Sequence, residues 1–403
     1  MTDTSVQRPS LGIAEFIALM AMLTAIVAFA IEAMLPALPQ IAGELTSEAP
    51  NRAQLIVTSF VFGMGLGTFF VGPLSDSYGR KPVVLWGSAL FMLASALAWM
   101  ATSLEMVIAA RVLQGLGASA ARIVPMAITR DYFAGREMAR INSIILMVFT
   151  LVPAIAPLLG SYIIALAGWR GIFASLMLFS FASAFWLALR VAEPLPPGRR
   201  RPFRARPLKE AVREVLANPV VRRSTFVLTL CYVALFASLS SIHPIFETGY
   251  ERGASFPYWF ALLALTAGGF SLLNAALVVR LGMRRLVRVA MAGLVTITLM
   301  LLIYEMLIGP LPFLLYFIWQ IGVFINISMT LGNLTAIALE PMGHLAGTAT
   351  SVTSAIATVG SVVFSIPISL MFDGTALPLM IGVLVAVGAG LILMRGLGAE
   401  YIE

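Results

Sequence analysis

Charge is what this chain has least of. Of its 403 residues only 11% are Asp, Glu, Lys or Arg, where soluble domains carry roughly 25%. Apolar residues make up 60% and the mean hydropathy is +0.96, which excludes an ordinary soluble domain. A single cysteine, Cys231, rules out an intrachain disulfide. With two histidines and no Cys or His cluster, no metal site is expected. The chain has no GxxxxGK[ST] phosphate loop, so nothing points to direct ATP coupling, and it lacks the HExxH and GxSxG signatures of hydrolases. An enzyme is therefore not expected, nor any cofactor. No segment alternates apolar and polar residues over about ten positions, as a transmembrane barrel strand would.

What is present instead is a succession of apolar runs. Crossing a ~30 Å hydrocarbon core at 1.5 Å per residue takes about 20 residues, and twelve stretches qualify. They lie near 12–36, 53–74, 83–101, 104–128, 138–166 and 169–192, then 224–246, 256–279, 286–306, 311–338, 345–370 and 374–396. Helices satisfy their own backbone in lipid, so the fold class is all-α integral membrane with twelve transmembrane helices. The first run is longer than a signal-peptide core, and the Leu35-Pro36-Ala37-Leu38-Pro39 that follows does not resemble a cleavage site, so it is expected to stay as a spanning helix.

The few charges are distributed unevenly. With both termini placed in the cytoplasm, 21 of the 26 Lys and Arg fall in loops or termini on that side. Only Arg52, Arg170 and Arg252 lie outside, and Arg111 and Arg122 are inside the fourth helix. This is the asymmetry of the positive-inside rule. The net charge of +7 is thus read as topology and contact with anionic lipid. Nucleic acid is not expected, because the basic residues are scattered over loops.

After the sixth run comes a Pro- and Arg-rich stretch from Glu193 to Pro207, then an amphipathic segment from Leu208 to Leu216. It cannot span a bilayer. The expected organisation is a six-helix bundle at 1–192, a cytoplasmic linker at 193–223 and a second bundle at 224–403. The halves echo each other: Gly79-Arg80-Lys81 after the second helix has a counterpart in Gly282-Met283-Arg284-Arg285 after the eighth. Parallel repeats of this kind are a transporter architecture.

Inside the apolar runs, Glu32 stands out. A carboxylate in hydrocarbon costs roughly 2.5 to 3.5 kcal/mol or more, so it is expected to face a cavity or a partner. Burial favours the protonated form of a carboxyl and a nearby cation the ionised form, the combination a proton-coupling site needs. A static structural carboxylate is the alternative. Arg111 in the fourth helix is the natural partner, each residue lying roughly 10 to 12 Å from the outer helix ends by rise per residue. Its alternative role is a structural donor to helix carbonyls. Gln114, Ala118 and Arg122 share its helix face, with Arg122 about 16 Å deeper, where it would attract substrate or line a wet cavity. Gly115, Gly117, Ala118, Ala120 and Ala121 would let a neighbouring helix approach closely. Pro153, Pro157 and Gly160 interrupt the fifth helix and favour a kink. In the second half, Tyr232, Phe236, His243, Asn274, Trp319, Gln320 and Asn326 are candidate cavity-lining residues, and for the amides Asn274, Gln320, Asn326 and Asn333 bonds between helices are the preferred reading over substrate binding. His243, near the outer end of the seventh helix, Glu340 and His344 are read as interfacial.

Between the second and third helices lies GPLSDSYGRK, Gly72 to Lys81. It packs Asp76, Arg80 and Lys81 around Gly72, Pro73 and Gly79 as a tight charged hinge. This loop, the ARVLQGLGASAA of the fourth helix, the APLLGSYI at Ala156 to Ile163 and the HLAGTATSV at His344 to Val352 together resemble one branch of the major facilitator superfamily. That branch is the bicyclomycin and chloramphenicol resistance family of drug/proton antiporters. The resemblance implies two six-helix bundles, no cofactor beyond the proton, and alternating access. It also implies that Glu32 binds protons and substrate, that Arg111 serves proton coupling, and that Asp76, Arg80 and Lys81 form a conformational latch. Pro157 and Gly160 would match an antiporter motif. Two departures stand out: Glu32 sits where Asp is commoner, and the fifth helix reads Ala156-Pro157 and Gly160-Ser161 where many relatives have Gly-Pro and Gly-Gly.

The expected function is a proton-coupled exporter of lipophilic or amphipathic drugs in a bacterial cytoplasmic membrane, acting as a monomer. Export of a native sugar or amino-acid derivative is the alternative within transport. A non-transporting membrane sensor or scaffold would need a sizeable soluble domain, which the sequence does not have.

Overall fold

A computed structural model of the chain describes residues 11–200 and 205–397. The side chains of residues 139, 150, 199, 205–208, 211 and 343–346 lie outside the description, and with them the expected interfacial role of His344 and the start of HLAGTATSV. Among the described residues the regular structure is helical.

The first half contains α1 (Ile13–Glu32), α2 (Leu38–Leu45), α3 (Leu55–Tyr78), α4 (Arg80–Trp99), α5 (Leu104–Tyr132) and α6 (Gly135–Arg190). The second contains α7 (Ala205–Ala217), α8 (Pro219–Pro244), α9 (Phe256–Leu281), α10 (Met283–Leu307), α11 (Phe313–Leu339), α12 (Ala346–Leu370) and α13 (Leu377–Arg395). Eleven helical stretches among the described residues are long and apolar enough to cross a membrane. The longest, α6, is two helices joined at Gly168, whose φ of 66° and ψ of −176° are not helical, so the spans among the described residues number twelve. Tertiary contacts divide the chain into two compact units, residues 1–37 with 62–205, and residues 38–61 with 206–403.

Three boundaries differ from expectation. The second spanning helix does not stop at 74: α3 continues through Pro73 to Tyr78, and the hinge is reduced to Gly79. The hydroxyls of Ser75 and Ser77 donate to the carbonyls of Gly72 (2.9 Å) and Pro73 (2.9 Å). The seventh spanning helix starts at Pro219 and not at 224. Asn218 Oδ1 accepts from the backbone N–H of Val220 (2.9 Å) and Val221 (3.2 Å), an N-cap followed by proline at N1. The first run breaks earlier than 36: α1 ends at Glu32, followed by a tight turn over Leu35–Ala37.

In the first unit α5 is approached closely from two sides. A side chain at Gly63 of α3 would strike the backbone of Val112, and one at Gly67 the carbonyl of Leu116 (2.9 Å). A side chain at Gly117 would meet the backbone of Gly87 and Phe91 on α4. The small residues of α5 therefore allow backbone-to-backbone packing, as lipid-embedded helices require. The Gly63 and Gly67 pair, four residues apart, is the matching signal on α3.

Candidate functional site

Glu32 is the last residue of α1 and is buried, 7% exposed. Pro36 has no N–H to offer the carbonyl four residues earlier, so the helix ends here and leaves carbonyls without intrahelical donors. Arg111, fully buried in α5, answers one of them: its Nη2 donates to the Ala30 carbonyl at 3.0 Å. Its Nη1 donates to Gln114 Oε1 at 2.6 Å. Gln114 Nε2 in turn donates to Ser95 Oγ on α4 at 2.7 Å, and the Ser95 hydroxyl donates to the Phe91 carbonyl at 2.7 Å. This chain ties α1, α5 and α4 together through buried polar atoms and fixes the guanidinium two residues along α1 from the acid.

The depth match between Glu32 and Arg111 therefore corresponds to a contact between their helices, made through the Ala30 carbonyl. Of the Glu32 carboxylate, Oε2 is buried and accepts no hydrogen bond. Gln114 shares the face of Arg111 as its spacing predicted, and acts as the acceptor that orients it. Ser95 was not anticipated, and only its place midway along a spanning helix marked it.

Gly160 stands at the same place. A side chain there would collide with the backbone of Ala33, the residue after Glu32. The α6 backbone at Gly160 thus lies directly against the end of α1, beside the acid. Ser161 Oγ donates to the Pro157 carbonyl at 3.0 Å. Pro153 and Pro157 are both inside α6. Arg122 lies away from this network, half-buried, with Nη1 3.8 Å from Met64 Sδ.

The hinge carries a second polar network in the same unit. Gly79 has φ 107°, a left-handed conformation. Arg80 pairs with Asp76 (2.5 Å) and with Asp131 at the end of α5 (2.8 Å), and donates to Ser75 Oγ (2.7 Å). The Glu193 carboxylate accepts the backbone N–H of Arg80 and of Lys81, each at 2.9 Å, and Lys81 Nζ donates to the carbonyls of Ala188 and Val191, each at 2.7 Å. The hinge residues are thus bound to the ends of both α5 and α6. Asp131 and Glu193 were missed by sequence reasoning. Nothing local in the sequence marked them, since acids at helix ends are common.

The candidates in the second unit separate into two groups. Trp319 is fully buried and its Nε1 donates to Thr298 Oγ1 at 2.9 Å, so its indole joins α11 to α10. Asn274 accepts from Asn333 Nδ2 at 2.9 Å, joining α9 to α11. Gln320, Asn326 and His243 are buried with polar atoms that lack hydrogen-bond partners: both amide atoms of Gln320, Nδ2 of Asn326 and Nδ1 of His243. His243 also packs edge-on against Phe256, ring centroids 4.6 Å apart. Tyr232 and Phe236 stack on one another at 5.6 Å. Glu340, read as interfacial, accepts from Arg284 at 2.6 Å.

Long apolar spans throughout the described residues, with a buried acid and a buried guanidinium in the first unit, are those of a multi-pass membrane protein. The Major Facilitator Superfamily model matches residues 20–365, and the chain belongs to that superfamily. It is 32% identical to the chloramphenicol resistance protein of Pseudomonas aeruginosa over 86% of this chain and 82% of that protein. It is 28% identical to a bicyclomycin resistance protein homolog of Haemophilus influenzae over 91% of each. Among solved structures, the inward open conformation of the xylose transporter XylE from E. coli aligns with a TM-score of 0.76, 97% coverage of both chains and 13% identity. That likeness is one of fold.

Proposed function

We propose that this chain is a proton-coupled exporter of lipophilic or amphipathic small molecules in the bacterial cytoplasmic membrane. It takes no cofactor other than the coupling proton and works as a monomer by alternating access, with both termini in the cytoplasm. Glu32 takes up and releases the proton and meets the substrate. Arg111, held by Gln114 and the Ala30 carbonyl, is the fixed positive charge beside it. Arg122 draws polar substrate groups inward, and Gly72, Asp76, Gly79, Arg80 and Lys81 act as the conformational latch. Pro153, Pro157 and Gly160 let α6 bend against α1 as the site opens. Gln320, Asn326 and His243 offer hydrogen bonds from an otherwise apolar wall.

The observation that carries this reading is Glu32, a buried acid whose Oε2 accepts no hydrogen bond. A carboxyl kept in that setting is expensive, and a purely structural role would leave it partnered. The resistance proteins among the relatives support drugs as the substrate class.

The test is proton movement in inverted membrane vesicles when phenicols, bicyclomycin-like compounds, lipophilic cations or sugars are added. One class is expected to release protons with wild type and to fail with Glu32→Gln. A Glu32→Gln protein that moves protons like wild type would overturn the assignment. A response confined to sugars would place the substrate among metabolites.

A further inference from the structure

Within the second unit, a cavity of about 290 Å³ opens where α7, α8, α12 and α13 meet. That is close to the lower end of the size range of small-molecule sites, about 300 Å³. Its walls are apolar: Leu216 from α7, Phe226 from α8, Ile356 from α12 and Leu393 from α13. Phe226 is 48% exposed. Arg222 and Arg223 line the same cavity from the first turn of α8. Arg223 Nη1 donates to the Gly396 carbonyl at 3.0 Å, whereas the exposed Arg222 guanidinium has no carboxylate or hydrogen-bond partner among the described residues.

A third lining residue points the same way. Thr225 is buried, 3% exposed, and its Oγ1 has no hydrogen-bond partner among the described residues. Buried hydroxyls are rarely left so. The cavity runs inward from Arg222 to Thr229, seven residues and about 10 Å along α8 by rise per residue. Two guanidiniums at the mouth, a hydroxyl one turn in and an apolar shaft beyond reproduce, in order, the chemistry of a phospholipid: phosphate, ester carbonyl, acyl chain. Basic pockets between membrane helices recognise anionic headgroups in this way.

We infer that this cavity is a binding site for an anionic phospholipid, with the phosphate on Arg222 and Arg223, the ester carbonyl accepting from Thr225 Oγ1, and one acyl chain along Phe226, Ile356 and Leu393. The amphipathic α7, which leads into α8 and contributes Leu216 to the wall, closes one side of it. The inference does not depend on proton coupling, so it stands or falls separately from the proposed transport activity.

The experiment is native mass spectrometry of the full-length protein in detergent, titrated with dioleoylphosphatidylglycerol, with dioleoylphosphatidylcholine, and with inorganic phosphate as competitor. Retention of phosphatidylglycerol at least fivefold above phosphatidylcholine is expected. Arg222→Gln should lower that retention at least threefold without changing the elution profile, because this side chain holds no internal bond. Thr225→Val, which keeps the side-chain shape, should lower it about twofold. Equal retention of the two lipids, or wild-type retention by both variants, would overturn the site. Displacement of phosphatidylglycerol by inorganic phosphate would assign it to a free anion instead.

Discussion

Two glycine turns occupy equivalent places in the two units, one after α3 and one after α9. Gly79 has φ 107° and ψ 157°, and Gly282 has φ 76° and ψ 151°. In each, the next helix starts at once and an arginine from its first turns pairs with an acid at the end of the helix that follows: Arg80 with Asp131, Arg284 with Glu340. The halves have therefore kept both the turn and the ion pair. They differ in surroundings. The Arg80 side chain is 5% exposed and the Arg284 side chain 22%. A Cβ at Gly79 would lie 2.8 Å from Glu193 Oε2, whereas nothing lies within 4 Å of one at Gly282. One repeated motif has become a buried, multiply bonded joint in the first unit and a more exposed turn in the second.

That contrast can be broken most forcefully at Arg80. Arg80→Ala leaves Asp131 and the half-exposed Asp76 without their cation and should cost roughly 1.5–3 kcal/mol, the range for hydrogen bonds to charged groups. A denaturant titration of the purified protein measures it, and transport should fall with it. A cost no larger than that of Arg284→Ala would mean that the two joints are equivalent after all.

The glycines themselves give the next largest effect. A left-handed φ costs an alanine roughly 1–2 kcal/mol. At Gly79 the methyl group would also press on the Glu193 carboxylate, the flexible side-chain end that accepts two backbone N–H groups, and lengthen those bonds. Gly79→Ala should therefore be the more damaging of the two, with Gly282→Ala limited to the conformational cost. Glu193→Gln, which keeps the acceptor oxygen but not the charge, sharpens this: it should fall between wild type and Gly79→Ala.

Arg284→Ala should have the smallest effect, about 0–1 kcal/mol, as for a partly exposed ion pair. Unlike the others, its effect should shrink when the titration is repeated in high salt.

The two joints also measure how far reading the sequence can go. Gly282-Met283-Arg284-Arg285 was legible as an echo of Gly79-Arg80-Lys81 because a repeated string needs no partner to be seen. Asp131 and Glu193 were not, since they lie 51 and 113 residues from Arg80 and nothing local distinguishes them from other acids at helix ends. The same holds at the buried acid. Glu32 and Arg111 were evident from the cost of charge in hydrocarbon. That Arg111 would bond a carbonyl and Gln114 depended on where α1 ends. That the Trp319 indole would meet the Thr298 hydroxyl was not legible either, because an aromatic in a spanning helix carries no local sign of its partner.

The sequence by itself determined the number of spans among the described residues, the class of protein and the presence of an acid within its first span. Those follow from hydrophobic length and from the price of charge in lipid, which act residue by residue. Tertiary structure alone decided which side chains were held and which were left open. A hydrogen bond is a matter of ångströms between elements distant in the chain. Ends of helices and close glycine contacts settle it only once the helices have packed.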